Sequence, residues 1–173
     1  FGVVPKVLWQ RTNPADEHNM CSWAMRLLLI EFDDKKILID TGIGNKQNEK
    51  FLSHYYLHGN NSLIKSLANI GYTKDDITDV ILTHLHFDHC GGAIEKSEKG
   101  DLIPAFKNAK YWSNKEHWKW ATEPNAREKA SFLSENILPL ESSGQLHFLK
   151  KGESLYGKID FVWAHGHTEA MIC

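Results

Sequence analysis

Residues 83 to 92 read Thr-His-Leu-His-Phe-Asp-His-Cys-Gly-Gly, and this run is dense in groups that hold metal ions. His84, His86 and Asp88 alternate along the chain. In extended backbone, alternate side chains share a face, so these three can converge just past the end of a strand. His89 follows Asp88 directly and joins them only if the chain turns there. Gly91 and Gly92 make such a turn plausible. Imidazole and carboxylate are ligands that zinc accepts. A second segment, His165-Gly166-His167-Thr168, again follows an apolar stretch and offers a further histidine. An isolated histidine reads as a solvated loop residue. This set exceeds what a single catalytic metal needs. The economical reading is two metals close together, which lower the pKa of bound water and polarise the bond under attack. Cys90 beside the cluster could also be a ligand, but free cysteine is among the most buried residue types, and burial is the reading favoured for Cys21, Cys90 and Cys173 alike.

The elements around these segments must hold them in place. Val3 to Trp9 reads as a strand broken by Pro5. Trp23 to Phe32 and Lys36 to Asp40 read as a hairpin with Asp33-Asp34 at its turn. Met20, Trp23 and Met25 are expected in the hairpin core, the other possibility being an apolar lip over the metals. Ser62 can cap a helix carrying Leu63, Ile64, Leu67 and Ile70, with Gly71 ending it. Thr78 to Thr83 is a buried strand that delivers the histidines. Ala109 to Ser113, Gln145 to Leu149 and Ile159 to Trp163 read as strands. Asn114 to Thr122 and Asn125 to Ile137 read as helices. The mixture predicts an α/β layered domain. His54 and His58 would share a helical face, but no glutamate of an H-E-x-x-H pattern accompanies them. Tyr55 and Tyr56 could line a pocket mouth or simply pack. Trp112, Trp118 and Trp120 are expected to pack.

The chain has 173 residues, 42% hydrophobic and 24% charged, enough for one domain with a core. A formal net charge of −2 offers no basic excess for a nucleic acid. No apolar run is long enough for a bilayer span. Three cysteines make no disulfide framework and favour a reducing, cytoplasmic setting. The chain begins at Phe1 without a methionine, so its true N-terminus is open.

Thr-His-Leu-His-Phe-Asp-His resembles the H-x-H-x-D-H signature of the metallo-β-lactamase superfamily. Leu38 to Gly42 (Leu-Ile-Asp-Thr-Gly) is similar to that family's strand and turn, and Gly166 to Thr168 to its third-histidine motif. The resemblance implies an αββα sandwich. It implies that His84, His86 and His167 hold one metal and that Asp88 and His89 contribute to a second. Asp40 would steady the site by hydrogen bonds, and Asp88 would also be the catalytic carboxylate that manages a proton. Two zinc ions per complete domain are implied, with manganese or iron serving equally. The segments look most like the lactonase and organophosphate-hydrolase branches. The expected activity is attack of a metal-bound hydroxide on an ester, lactone or related acyl bond of a small-molecule substrate. A phosphodiester or phosphotriester hydrolase and a non-catalytic metal-binding fragment are the alternatives. Two departures stand out. The third-histidine loop continues Glu169-Ala170-Met171 where the family often has Pro-Gly-His. Complete members also continue beyond the length of this chain and supply a bridging acid and a last histidine. The resemblance therefore implies a single domain over 1–173, incomplete at its C-terminal end, that would associate with the missing segment. Oligomeric state is not readable from the sequence.

Overall fold

Residues 4–173 are described by a computed structural model. They begin with one helical turn, α1 (Lys6–Trp9), rather than the expected strand. Pro5 at the helix N-cap has φ −58°, and proline suits a helix start because it has no N–H to leave unpaired. Val3 lies outside the described residues.

β1 (Leu28–Phe32) and β2 (Lys35–Ile39) form the expected antiparallel hairpin. Asp33 makes the tight turn in a left-handed conformation, φ 51°, which aspartate tolerates better than most residues. The strand starts at Leu28, not Trp23, so Trp23 (64% exposed) and Met25 (49% exposed) are not hairpin core. Two helices follow. Asn48 caps α2 (Glu49–Ser53) through the Phe51 N–H, and Ser62 caps α3 (Leu63–Asn69) through the Lys65 N–H. His54 is the C-cap of α2 and His58 lies beyond it, so they do not form a helical pair. Thr73 and Asp76 make a capping box on the turn that leads into β3 (Asp79–Ile81).

The histidine run contains α4 (Phe87–Cys90). A hairpin of β4 (Ile94–Lys96) and β5 (Leu102–Pro104) follows, which the sequence reading missed. β6 (Lys110–Asn114) then leads directly into α5 (Lys115–Thr122), capped by Asn114. The helix expected from Asn125 begins at Ser134 instead, as α6 (Ser134–Ser142). The Asn125 carboxamide accepts from the backbone of Arg127 and Glu128, which holds that stretch as a turn. β7 (Leu146–Leu149) completes a five-stranded sheet of order β1-β2-β3-β6-β7, parallel except for the first hairpin. The expected strand from Ile159 to Trp163 is divided. β8 (Ser154–Leu155) pairs with β9 (Ile159–Asp160), and β10 (Trp163–Ala164) pairs with β11 (Met171–Ile172).

Alternation along the strands gives the sheet two apolar faces. Leu38, Val80 and Tyr111 pack toward the helices with Leu67, Trp118, Ile137 and Leu140. Ile37, Ile81 and Trp112 point the other way, against Leu155, Ile159, Phe161, Trp163 and Ile172. Trp112, Trp118 and Trp120 pack, as expected. Of the cysteines, only Cys90 is fully buried. Cys21 is half-buried and Cys173 exposed, and all three are free. No helix among the described residues is long and apolar enough to cross a membrane.

Candidate metal centre

β3 ends at Ile81, and the chain bends at Thr83 and again at His86, whose own backbone is extended, before α4. α4 begins at Phe87 and supplies the turn that His89 needs. His167 arrives on the loop between β10 and β11. That hairpin is fastened beside the histidine run by the Ile172 N–H donating to the Thr83 carbonyl at 2.9 Å. His84, His86 and His167 each present a ring nitrogen, and these atoms lie within 4.8 Å of one another. The Nε2 atoms of His84 and His167 are 3.3 Å apart. His84 and His86 are buried, while His167 is open to solvent.

Asp88 and His89 lie beside this trio rather than within it. The His89 ring is 3.9 Å from that of His84, centre to centre, and its Nε2 is 3.7 Å from an Asp88 carboxylate oxygen. Asp40 lies against Thr83 and His89. Its carboxylate accepts from the Thr83 N–H at 2.8 Å and the Thr83 hydroxyl at 2.8 Å, and lies 2.8 Å from His89 Nδ1. His165 does not join the site and pairs with Glu169 at 2.7 Å.

Glycines let two loops interlock at the centre. A Cβ on Gly91 would sit 2.1 Å from the Ile43 carbonyl oxygen, and one on Gly92 would sit 2.3 Å from that of Thr41. Gly91 has an ordinary φ of −58°, so close approach, not backbone freedom, requires glycine there. The buried Lys46 ammonium donates to the Gly91 carbonyl and adds to the lock. Gly91→Ala should therefore destabilise the fold by about 3 kcal/mol through overpacking. A thermal or urea melt of the variant beside the parent checks this.

Two supporting residues had no sequence signal. His117 is fully buried on α5. Its Nε2 accepts from the Leu85 N–H at 2.8 Å, so its Nδ1 carries the proton and donates to the Glu169 carbonyl at 2.6 Å. One imidazole thus clamps the peptide between His84 and His86 to the loop after His167. Glu128, on the turn before α6, accepts from Trp120 and from Thr168. Both arrive by tertiary packing from segments whose spacing is unremarkable.

Burial, with the crowding of neighbouring imidazoles, pushes the His84 pKa down to about 2. Burial and His167 push His86 down to about 4, against the pull of Asp88 and Glu128. Burial also lowers His117. For His89 burial acts downward, but the Asp40 hydrogen bond and charge outweigh it and raise the pKa. His84 and His86 are therefore neutral at pH 7 and have lone pairs to give. Burial lifts the Cys90 thiol to about 12; it donates to the Leu85 carbonyl and lies outside the group of converging ligand atoms. A convergent set of neutral imidazoles fits a bound divalent cation. The sign of the acid response follows. Between about pH 6.5 and 4 the unfolded chain binds protons that native His84 and His86 refuse. Metal-free protein should lose stability as pH falls through that window. His89, with its raised pKa, offsets part of the loss. Melts at pH 7 and pH 4.5 read the effect.

A family model for the metallo-beta-lactamase superfamily matches residues 27–172. The chain belongs to that superfamily. A probable metal-dependent hydrolase from Staphylococcus aureus superposes with a TM-score of 0.85 at 31% identity, over 99% of this chain and 60% of that one. The dizinc quorum-quenching lactonase AidC superposes with a TM-score of 0.65 at 25% identity, over 84% of this chain and 50% of that one. An N-acyl homoserine lactonase from Bacillus thuringiensis is 32% identical over 74 residues, 37% of this chain and 30% of that protein. An exodeoxyribonuclease, YycJ, from Bacillus anthracis is 30% identical over 91 residues, 53% of this chain and 28% of that protein. The matches thus cover between 28% and 60% of the length of these relatives.

Proposed function

We propose that the protein is a metal-dependent hydrolase of an ester, lactone or related acyl bond in a small molecule. The observation that carries this reading is the convergence of three imidazole nitrogens within 4.8 Å, two of them on buried histidines held neutral. His84, His86 and His167 would hold one metal, and Asp88 and His89 would contribute to a second. Zinc suits this donor set, and the dizinc lactonase among the similar structures supports it. When bound, such a metal supplies a Lewis acid for the substrate carbonyl and lowers the pKa of bound water. Asp88, half exposed beside His89, would take and return a proton. Asp40 holds His89 and the backbone at Thr83 in register. Phe51, Tyr55 and Phe87 form an aromatic group with ring centres 4.9 to 5.2 Å apart. Phe87 lies between His86 and Asp88 in the chain, and this group would offer an apolar wall for an acyl or aryl moiety. The three free cysteines favour a reducing compartment such as the cytoplasm.

The test is a panel of lactones and aryl esters, followed by proton release, on protein stripped with a chelator and reloaded with zinc. The proposal expects cleavage that disappears on stripping and returns on reloading. Failure of zinc-loaded protein to cleave any member would overturn it. The similarity to an exodeoxyribonuclease favours a phosphodiester as the second reading, and a net charge of −2 weighs against it. Salt-sensitive binding of a single-stranded oligonucleotide would decide for the second.

A further inference from the structure

The turn between α5 and α6 brings an acidic side chain to the metal centre that no motif contains. Glu128 Oε2 accepts from the Trp120 indole N–H at 3.0 Å and from the Thr168 hydroxyl at 2.8 Å. The same oxygen lies 3.7 Å from His86 Nε2. That nitrogen is buried and has no hydrogen-bond partner. An imidazole that gives one nitrogen's lone pair to a metal carries its proton on the other, and that N–H needs an acceptor when buried. A movement of about 0.7 Å would bring the Glu128 oxygen to hydrogen-bond length. Thr168 follows His167 directly, so the carboxylate reaches both segments that supply the trio.

We propose that Glu128 is the positioning partner of His86. It accepts the Nε2–H, leaves Nδ1 as the metal donor, and through Thr168 ties the His86 segment to the His167 loop. The inference rests on the metal-centre part of the proposed function and not on the identity of the substrate. A carboxylate that served only to brace Trp120 and Thr168 would have no influence on which nitrogen of His86 carries the proton.

Two readouts test it without substrate. The first is zinc affinity, by competition with a chromophoric chelator, for the parent, Glu128→Gln, Glu128→Ala and Glu116→Gln. Glu116 pairs with Lys151 on the exposed side of α5 and serves as the control. Zinc binding should weaken about 10-fold in the glutamine variant and up to about 100-fold in the alanine variant, with the control unchanged. The second is the tautomer of His86 in zinc-free protein, from long-range nitrogen–proton correlation spectra assigned with His86→Asn. The Nε2–H form should dominate in the parent and give way to a mixture in Glu128→Ala. Unchanged zinc affinity in both Glu128 variants, or an Nδ1–H tautomer of His86 in the parent, would overturn the proposal. The spectra keep it decidable if the alanine variant folds poorly, since the parent alone gives an answer. Weakened zinc binding in protein that cleaves no acyl substrate would sink the proposed function and leave this inference standing. Lactone cleavage with zinc affinity indifferent to Glu128 would do the reverse.

Discussion

Alanine at His84 should abolish zinc binding and hydrolysis together. His84 is the centre of the cluster. Its ring lies 3.9 Å from His89, 4.7 Å from His86 and 5.0 Å from His167, centre to centre. Removing it takes away a buried neutral donor and opens space between the others. The loss of a Lewis acid is worth several kcal/mol of transition-state stabilisation, so turnover should fall roughly a thousandfold or more. The fold should survive, because His84 lies outside both apolar clusters. Zinc content, turnover and the melting curve of the variant separate these effects. Retained zinc with retained turnover would move the metal away from this histidine.

Asp40→Ala should damage stability and the site at once. The carboxylate accepts from both the backbone and the hydroxyl of Thr83 and holds His89. Its own backbone is left-handed, φ 58°, which alanine tolerates poorly. Stranding those donors in a half-buried setting costs about 3 kcal/mol. Asp40→Asn keeps an acceptor and tolerates the backbone, so it should recover much of the stability. It should not fully restore the elevated His89 pKa, which rests on the hydrogen bond to the Asp40 carboxylate and on its charge. Chemical denaturation of both variants, with a pH titration of the His89 ring in Asp40→Asn, reads the two parts separately.

The parts of this fold that could be read from sequence share one property: they are local. The β1–β2 hairpin announces itself by Asp33-Asp34 between apolar strands, α3 by Ser62 before a periodic apolar face, and the metal run by alternation of His84 and His86. Apart from α1, where a helical turn follows Pro5 in place of the expected strand, the differences are long-range or depend on one competing side-chain bond. The turn at Asn125 displaces the start of the helix expected from there to Ser134. The apolar stretch from Ile159 divided because its ends pair with different partners, Leu155 and Ile172. β4 and β5 are too short to show a pattern. The same distinction divides the site. The donors lie in two compact motifs, whereas His117 and Glu128 reach them from the segments around α5 and make sense only once β6 and β10–β11 are adjacent. Gly91 was legible as a glycine that matters, but for the wrong reason. Its role is to let the Ile43 carbonyl approach, a fact of packing rather than of backbone freedom.

Imidazoles of His84, His86 and His167, and not the Cys90 thiol, are proposed to hold the metal. X-ray absorption at the zinc edge of zinc-loaded protein tests it most directly. The expected spectrum has a first shell of nitrogen and oxygen at about 2.0–2.1 Å, with the outer-shell scattering of several imidazole rings. A sulfur shell at about 2.3 Å, or a first shell without imidazole scattering, would contradict it.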